Sequence, residues 1–396
     1  MRLFNFLQFK SSIMPFKLKN IFLIIVLLGI IFSIQSCKAQ EKNTTPLPVS
    51  PKVITGIKGV WITNVASQVL YSKEGVKQAV ELCQKSGINH IFVVTWNKGR
   101  TLYPSKIMND IFNIPIEEAL TGRDPLREII DEAHAKNIKV YGWFEYGFAA
   151  ENNGFGEHIL RLKPQWASLD KNGNITTKNG FKWMNALNPE VQDFMLSLLK
   201  ETVTNYPDLD GIQGDDRLPA MAVEGGYNTE ILAQYKTETG ASTPTSDKDE
   251  NWVNWRANRL NKFMERISNE LKKINPKIGI SMAPSIFPFA KTEYLQDWPT
   301  WVNNGWVDII SPQIYRYDMA AYKTELSKII NTQINTDKLK ILAPGILLKV
   351  GTYNPSYDFL KQIIDENRRN KVENEVFFFY EGLKNNTLYF TTEYNK

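Results

Sequence analysis

From Gly56 onward, short runs of apolar and β-branched residues alternate with longer stretches whose apolar positions recur at helical spacing. The pattern predicts strands over residues 59–64 (GVWITN), 88–96, 138–146, 209–215, 277–283, 307–315, 338–343 and 376–380. It predicts helices between them over residues 73–85, 125–136, 190–204, 251–274, 294–303, 320–330 and 357–369. Strands rich in Val, Ile and Phe that alternate with helices favour parallel pairing with both faces buried. Eight such units predict an α/β fold closed into a (β/α)8 TIM barrel. An open doubly wound sheet is the structural alternative, but no Gly-rich phosphate turn follows the first strand. The barrel domain is expected over residues 56–383, with 384–396 as a C-terminal tail.

Upstream, the pattern changes. Residues 21–34 (IFLIIVLLGIIFSI) are apolar apart from Gly29 and Ser33, and the charges that precede Cys37 are Arg2, Lys10, Lys17 and Lys19. This run of 14 residues is shorter than the roughly 20 a helix needs to cross a bilayer core. Its length and basic flank fit a secretory signal. It ends in Ile34-Gln35-Ser36-Cys37, which resembles the lipobox of bacterial lipoproteins, where the cysteine is diacylated and becomes the new N-terminus. Residues 1–36 are therefore expected to be a lipoprotein signal peptide, with Met14 as an alternative start. Cys37 is then the lipidation site, and the polar, Pro-containing stretch over 37–55 is a flexible tether. The expected location is the cell envelope, lipid-anchored at the outer membrane.

Charge and cysteine usage narrow the chemistry. The formal net charge is +5, and residues 1–36 hold four basic and no acidic side chains, so the remainder is near +1 (5 − 4). That balance is far from the polycation that nucleic-acid binding demands. The only cysteine besides Cys37 is Cys83, on a predicted helix, so no disulfide framework exists. His90, His134 and His158 form no metal-ligand spacing, and no G-x-S-x-G nucleophile elbow is present. No metal and no cofactor is expected.

Barrel enzymes carry their reacting groups at the C-terminal ends of the strands. Strand four ends in Asp215-Asp216-Arg217, strand three in Glu145 and Tyr146, strand two in Trp96-Asn97, and strand eight in Glu381. Strand six ends in Gln313, Tyr315, Tyr317 and Asp318. Alternation places Gln213, Asp215 and Arg217 on one face of strand four, and bulky Ile212 on the other suits the helix layer. Gln213 and Asp215 are therefore expected to face the barrel axis, and Asp216 to point outward unless the chain turns there. Glu145 shares a face with Trp143 and is a candidate second carboxylate of a glycosidase pair. Glu381 and Asp318 compete for the acid role. Trp96, Trp166, Trp183, Trp298 and Tyr103 fall at strand ends or in loops, where aromatic faces could pack on sugar rings. Gly214 leaves room either for a substrate against the backbone or for packing.

Those same stretches resemble the glycosyl-hydrolase-like 10 family, formerly a domain of unknown function. The matching residues are Gly59-Val60-Trp61-Ile62-Thr63, Gly87-Ile88-Asn89 through Leu102-Tyr103-Pro104-Ser105, and Gly122-Arg123-Asp124-Pro125-Leu126. They continue with Glu132-Ala133-His134, Trp143-Phe144, Leu187-Asn188-Pro189, Asp210-Gly211-Ile212-Gln213-Gly214-Asp215-Asp216, Trp255-Arg256 and Pro312-Gln313-Ile314-Tyr315. The resemblance implies a barrel related to amylase-like and chitinase-like hydrolases. In the amylase-like pattern the position of Asp215 is the nucleophile. In the chitinase-like D-x-D-x-E pattern the acid would fall at Arg217, so a substrate-assisted chitinase mechanism is not expected. Relatives commonly have Asn where this chain has Glu145. The family is similar to lipoprotein glycosidases acting on peptidoglycan glycan strands.

Two functions follow from this reading. In the first, an O-glycoside hydrolase, Asp215 is nucleophile or base and Asp216 or Glu145 protonates the leaving oxygen. Trp96, Tyr103, Trp143, Gln313 and Tyr315 line the subsites, and the partner is an extracellular or periplasmic polysaccharide. In the second, the protein is a non-catalytic glycan-binding surface lipoprotein.

Overall fold

The structure, a computed structural model, describes residues Gly56 to Asn395. The leader, the tether and Cys37 lie outside the described residues. Eight parallel strands build the core: β1 (Lys58–Ile62), β2 (His90–Val94), β3 (Lys139–Phe144), β4 (Gly211–Gly214), β5 (Gly279–Met282), β6 (Ile309–Ile310), β7 (Gly345–Leu347) and β8 (Glu375–Phe378). They pair in the order β6-β5-β4-β3-β2-β1-β8-β7. The two ends of that order meet, because parallel bridges join Ile310 to Leu342 and Gln313 to Gly345. The Ala343 amide donates to the Ile310 carbonyl at 2.8 Å and the Gly345 amide to the Pro312 carbonyl at 2.9 Å. The sheet is thus closed into the expected barrel.

Helices follow each strand: α1 (Lys73–Lys85), α2 (Pro125–His134), α3 (Pro189–Asn205), α4 (Glu250–Ile274), α5 (Trp298–Asn303), α6 (Met319–Lys328), α7 (Tyr357–Arg369) and α8 (Tyr380–Asn385). Their starts carry the chemistry that stops a frayed N-terminus: Ser72, Asp124, Asn188, Asp249, Asp318 and Ser356 each accept a backbone N–H of the first turn. Inside the barrel the strand residues stack as a packed core. Tyr141 of β3 lies across Gly211 and Gly279, where a Cβ would come within 2.0 Å and 2.5 Å of its ring and hydroxyl. Those glycines give the aromatic ring its space.

Strand seven departs from the expected 338–343. Thr336–Ile341 winds as a 3-10 helix, and the strand proper comes after Pro344. Lys338 and Lys340 alternate with Leu339 and Ile341, which mimics a strand. A strand of this barrel is buried on both faces, however, a demand that Lys338 and Lys340 cannot meet and that the apolar residues from Ile341 to Leu348 do. Loops at the C-terminal face carry structure the sequence pattern did not predict, beginning with a short hairpin and a helix (Lys106–Phe112) after β2. A three-stranded antiparallel sheet (Ala149–Asn152, Thr177–Lys178, Phe181–Trp183) follows β3, and a helix (Thr229–Thr239) follows β4.

The segment expected as a tail over 384–396 is packed as far as it is described. Thr387–Tyr389 and Phe390–Tyr394 form helical turns against the base of the barrel. The Phe390 ring sits 5.0 Å from Phe377, and the Tyr394 hydroxyl donates to Glu375. Glu375 opens β8 fully buried and also takes two bonds from Arg368, at 2.7 and 2.8 Å. A buried carboxylate at this position needs such cover. Phe390→Ala is expected to cost about 3–5 kcal/mol, as for other fully buried aromatics. Urea denaturation checks this, and a loss under about 1 kcal/mol would mean the segment is detached.

Candidate active site

β4 delivers the central side chains. The indole N–H of Trp61 donates to Gln213 Oε1 at 2.6 Å, and Gln213 Nε2 donates to Ser281 Oγ at 2.9 Å. This fixes Gln213 on the axis, and Asp215 follows it two residues on, 4% exposed. The chain then turns, with the Leu218 amide donating to the Asp215 carbonyl at 3.1 Å. The turn brings Asp216 into the mouth of the barrel, which its strand parity alone would not. Gly214 serves packing: a Cβ there would lie 2.6 Å from both the Leu218 carbonyl and the Met282 sulfur.

Trp61, Trp143, Glu145, Asp215, Asp216, Arg217, Gln313, Tyr315 and Phe378 line a cavity of about 150 Å³. Asp215 Oδ1 accepts Gln313 Nε2 at 2.8 Å, and Oδ2 lies 3.4 Å from an Arg217 Nη. Gln313 is held in turn by the Ala283 carbonyl at 2.9 Å. The other Arg217 Nη sits 3.0 Å from Asp216, and its Nε donates to the Glu145 carbonyl at 3.0 Å. The Phe181 ring covers the guanidinium at 5.0 Å. Glu145 accepts Thr63 Oγ1 at 3.0 Å and Asn97 Nδ2 at 2.6 Å, both on Oε2. Tyr315 packs on Phe378, with ring centroids 5.3 Å apart.

Burial drives both acids upward. Asp215 lies well above the usual carboxylate range because it is desolvated and faces Asp216 and Glu145, with Arg217 opposing. Glu145 is raised by burial and by Asp216, against Arg217 and its two hydrogen bonds. Burial and the neighbouring Asp216 raise Asp215 and Glu145 alike, and Glu145 also raises Asp215, so both hold a proton more tightly than an exposed carboxyl and the two titrate together.

Several expected site residues lie elsewhere. Trp96 is fully buried, donates to the Gly147 carbonyl at 3.0 Å and packs on Phe194. Tyr103 is fully buried, with its hydroxyl on the Leu198 carbonyl and Glu201. Neither lines the cavity, because the chain after β2 folds back as a hairpin (Trp96–Asn97 with Arg100–Thr101) and turns both rings under the loop. Trp166, Trp183 and Trp298 are likewise core residues. Glu381 is bound by Ser67 and Lys384, and Asp318 caps α6. Trp61 and Phe378 were missed as lining residues. Trp61 lies two residues before the last inward position of strand one, so alternation could have found it.

A closed β/α barrel with carboxyls in its mouth is an architecture on which glycoside hydrolases, among other enzymes, are built. The chain belongs to the glycosyl hydrolase-like 10 family, whose pattern matches residues 56–353. Glycosyl hydrolase DigH of Escherichia coli K12 is 28% identical over 295 residues, 67% of this chain and 65% of DigH. The chain thus spans just under two thirds of that relative. Glycosyl hydrolase YngK of Bacillus subtilis is 23% identical over 383 residues, 84% of this chain and 69% of YngK. Among solved structures, the glycoside hydrolase domain of PgaB (BpsB) from Bordetella bronchiseptica superposes with a TM-score of 0.62 at 12% identity, covering 84% of this chain and 97% of that one. Alpha-L-fucosidase isoenzyme 2 from Paenibacillus thiaminolyticus gives 0.59 at 16% identity, over 85% and 48%. At those identities the structures speak for the fold.

The raised acids have a cost in stability. The folded state binds protons that the unfolded chain releases, so stability falls as pH rises from about 4 toward the raised values. Asp215→Asn removes one excess anion and leaves Asp216 beside Arg217. Its melting temperature is expected to exceed that of the unaltered protein by a few degrees at pH 7, with the gain vanishing near pH 4. A thermal-unfolding series across pH checks this, and a variant less stable at pH 7 than at pH 4, relative to the parent, would contradict it.

Proposed function

We propose that this protein hydrolyses O-glycosidic bonds of an extracellular or periplasmic glycan, peptidoglycan strands or another polysaccharide, with Asp215 and Glu145 as the working pair. The observation that carries the proposal is the carboxyl cluster on an aromatic-walled cavity. At about 150 Å³ the cavity falls below the roughly 300–1,000 Å³ of typical ligand pockets. It suits one sugar ring at the point of cleavage.

Hydrogen bonding divides the roles. Asp215 has a donor at each oxygen, Gln313 and the longer contact from Arg217, and these stabilise its carboxylate form against the burial that raises it. Glu145 takes both of its bonds on Oε2, so Oε1 can carry the proton that burial favours. In this reading the Glu145 proton passes to the glycosidic oxygen as the C–O bond breaks. Asp215 acts on the anomeric carbon, directly or through water, and water supplies the hydroxyl of the new reducing end. Asp216 balances Arg217. Trp143, Gln313 and Tyr315 hold the sugar, and the buried Trp143 indole N–H, without a partner among the described residues, is a donor for a sugar oxygen. The leader and Cys37 support placing the domain at the cell envelope on a lipid anchor.

The Arg217–Asp215 contact also favours the second reading, a glycan-binding protein without turnover. Leaving-group dependence separates the two and tests the role assignment. Glu145→Gln is expected to lose about 10²–10⁴-fold in kcat on natural glycans, as for loss of a general acid. It should lose far less on nitrophenyl glycosides, whose leaving group needs no proton. Asp215→Asn should be inactive on both substrates. If Asp216→Asn shows the selective pattern instead, the acid is misassigned; if the unaltered protein cleaves neither substrate class, the hydrolase reading fails.

A further inference from the structure

The aromatic lining does not stop at the cavity. Tyr315 and Phe378 form its inner wall. Two residues past Tyr315, Tyr317 emerges from the same chain segment with 64% of its surface exposed, among the most exposed large side chains described. Its ring meets Tyr353 at 4.8 Å and 90°. Tyr353 stands on the turn that follows β7, where its amide donates to the Val350 carbonyl at 2.9 Å. That turn is tied to the site, because the Leu348 and Lys349 amides both donate to the carbonyl of Phe378, at 2.6 and 3.2 Å. The ends of β6, β7 and β8 thus present two aromatic pairs in succession, one inside the cavity and one outside it.

The chain on both sides of Tyr317 is also held in place. Arg316 bonds the Tyr315 carbonyl at 3.0 Å and reaches Glu325 at 3.6 Å. Asp318 caps α6 through the Ala321 amide at 2.8 Å. A large aromatic ring exposed to water costs free energy unless something covers it. A ring braced in advance loses little conformational freedom when a ligand does so. We propose that Tyr317, backed edge-on by Tyr353, is a stacking platform for a sugar ring outside the catalytic cavity, so that the protein engages a glycan chain across at least two subsites. The platform rests on the hydrolase reading for its ligand class. Its occupant is the part of the chain that continues beyond the bond being cut, because it adjoins the cavity wall and tyrosine offers a flat apolar face with a polar edge.

The test uses the full-length protein with cellooligosaccharides, β-1,4-N-acetylglucosamine oligomers of graded length and peptide-free peptidoglycan strands. On the series the unaltered protein cleaves, Tyr317→Ala is expected to raise KM about tenfold for the longest oligomers. The penalty should shrink as the chain is shortened, with little change in kcat. Tyr317→Phe should restore the long-chain KM, since it keeps the ring and drops only the hydroxyl. A penalty equal at all lengths, or none at any length, would overturn the platform. If the unaltered protein cleaves no glycan, affinity electrophoresis in gels containing the same glycans replaces the kinetics. Retardation lost in Tyr317→Ala and kept in Tyr317→Phe supports the platform while the hydrolase reading fails. Equal retardation of all three proteins, or none, overturns it.

Discussion

The guanidinium of Arg217 must serve several acidic neighbours at once, and much of the barrel's C-terminal face is arranged so that it can. It reaches Asp215 and Asp216 through its two Nη groups and ties the backbone of Glu145 through Nε. It lies in the turn after β4, which brings it within reach of both Asp215 and Asp216. Phe181, delivered by the small antiparallel sheet after β3, closes over its outer face. With the cation shielded in this way, its attraction for the carboxyls is stronger than it would be in water. It is still one positive charge against three carboxyls. Burial and repulsion from neighbouring carboxyls raise Asp215 and Glu145 above ordinary carboxyls, the direction that general acid catalysis requires.

The seam that closes the barrel also supplies part of the site. Gln313 bridges to Gly345 across the seam that closes the sheet, and its side chain donates to Asp215. The residue that completes the ring therefore also orients the central carboxylate. Gln213 links the opposite walls in the layer below, between Trp61 of β1 and Ser281 of β5. A site assembled from strand ends in this way is held by the core rather than by mobile loops, which suits a reaction that depends on sub-ångström placement.

The fold was legible because each β/α unit writes two periods into the chain, one for strands and one for helices. Asp215, Glu145, Gln313, Trp143 and Tyr315 were legible because alternation and the strand-end rule suffice to put them at the mouth. Trp96 and Tyr103 defeated the same rule, since the chain had already left the strand as a hairpin before reaching Tyr103 and its rings turned into the core. Strand seven was misplaced because a lysine–apolar alternation over 338–341 imitates a strand, and the two-sided burial that decides the matter is a tertiary property. The packed residues after Leu383 were hidden for a similar reason. Their role is to cover Glu375 and Phe377 of β8, and the need for that cover arises only once the barrel has buried the strand. Arg217 stood in plain view as the residue that displaces a chitinase-type acid, but its part as the shared cation of the cluster needed coordinates.

The central claim is that this cluster adds water across a glycosidic bond, and isotope tracing tests it most directly. Peptide-free glycan strands and a panel of plant and algal polysaccharides are incubated with the protein in ¹⁸O-labelled water, and the fragments are analysed by mass spectrometry. The account predicts shorter chains from at least one glycan, each new reducing end carrying oxygen from solvent. Glycans recovered at full length and without label, although the protein binds them, would contradict it.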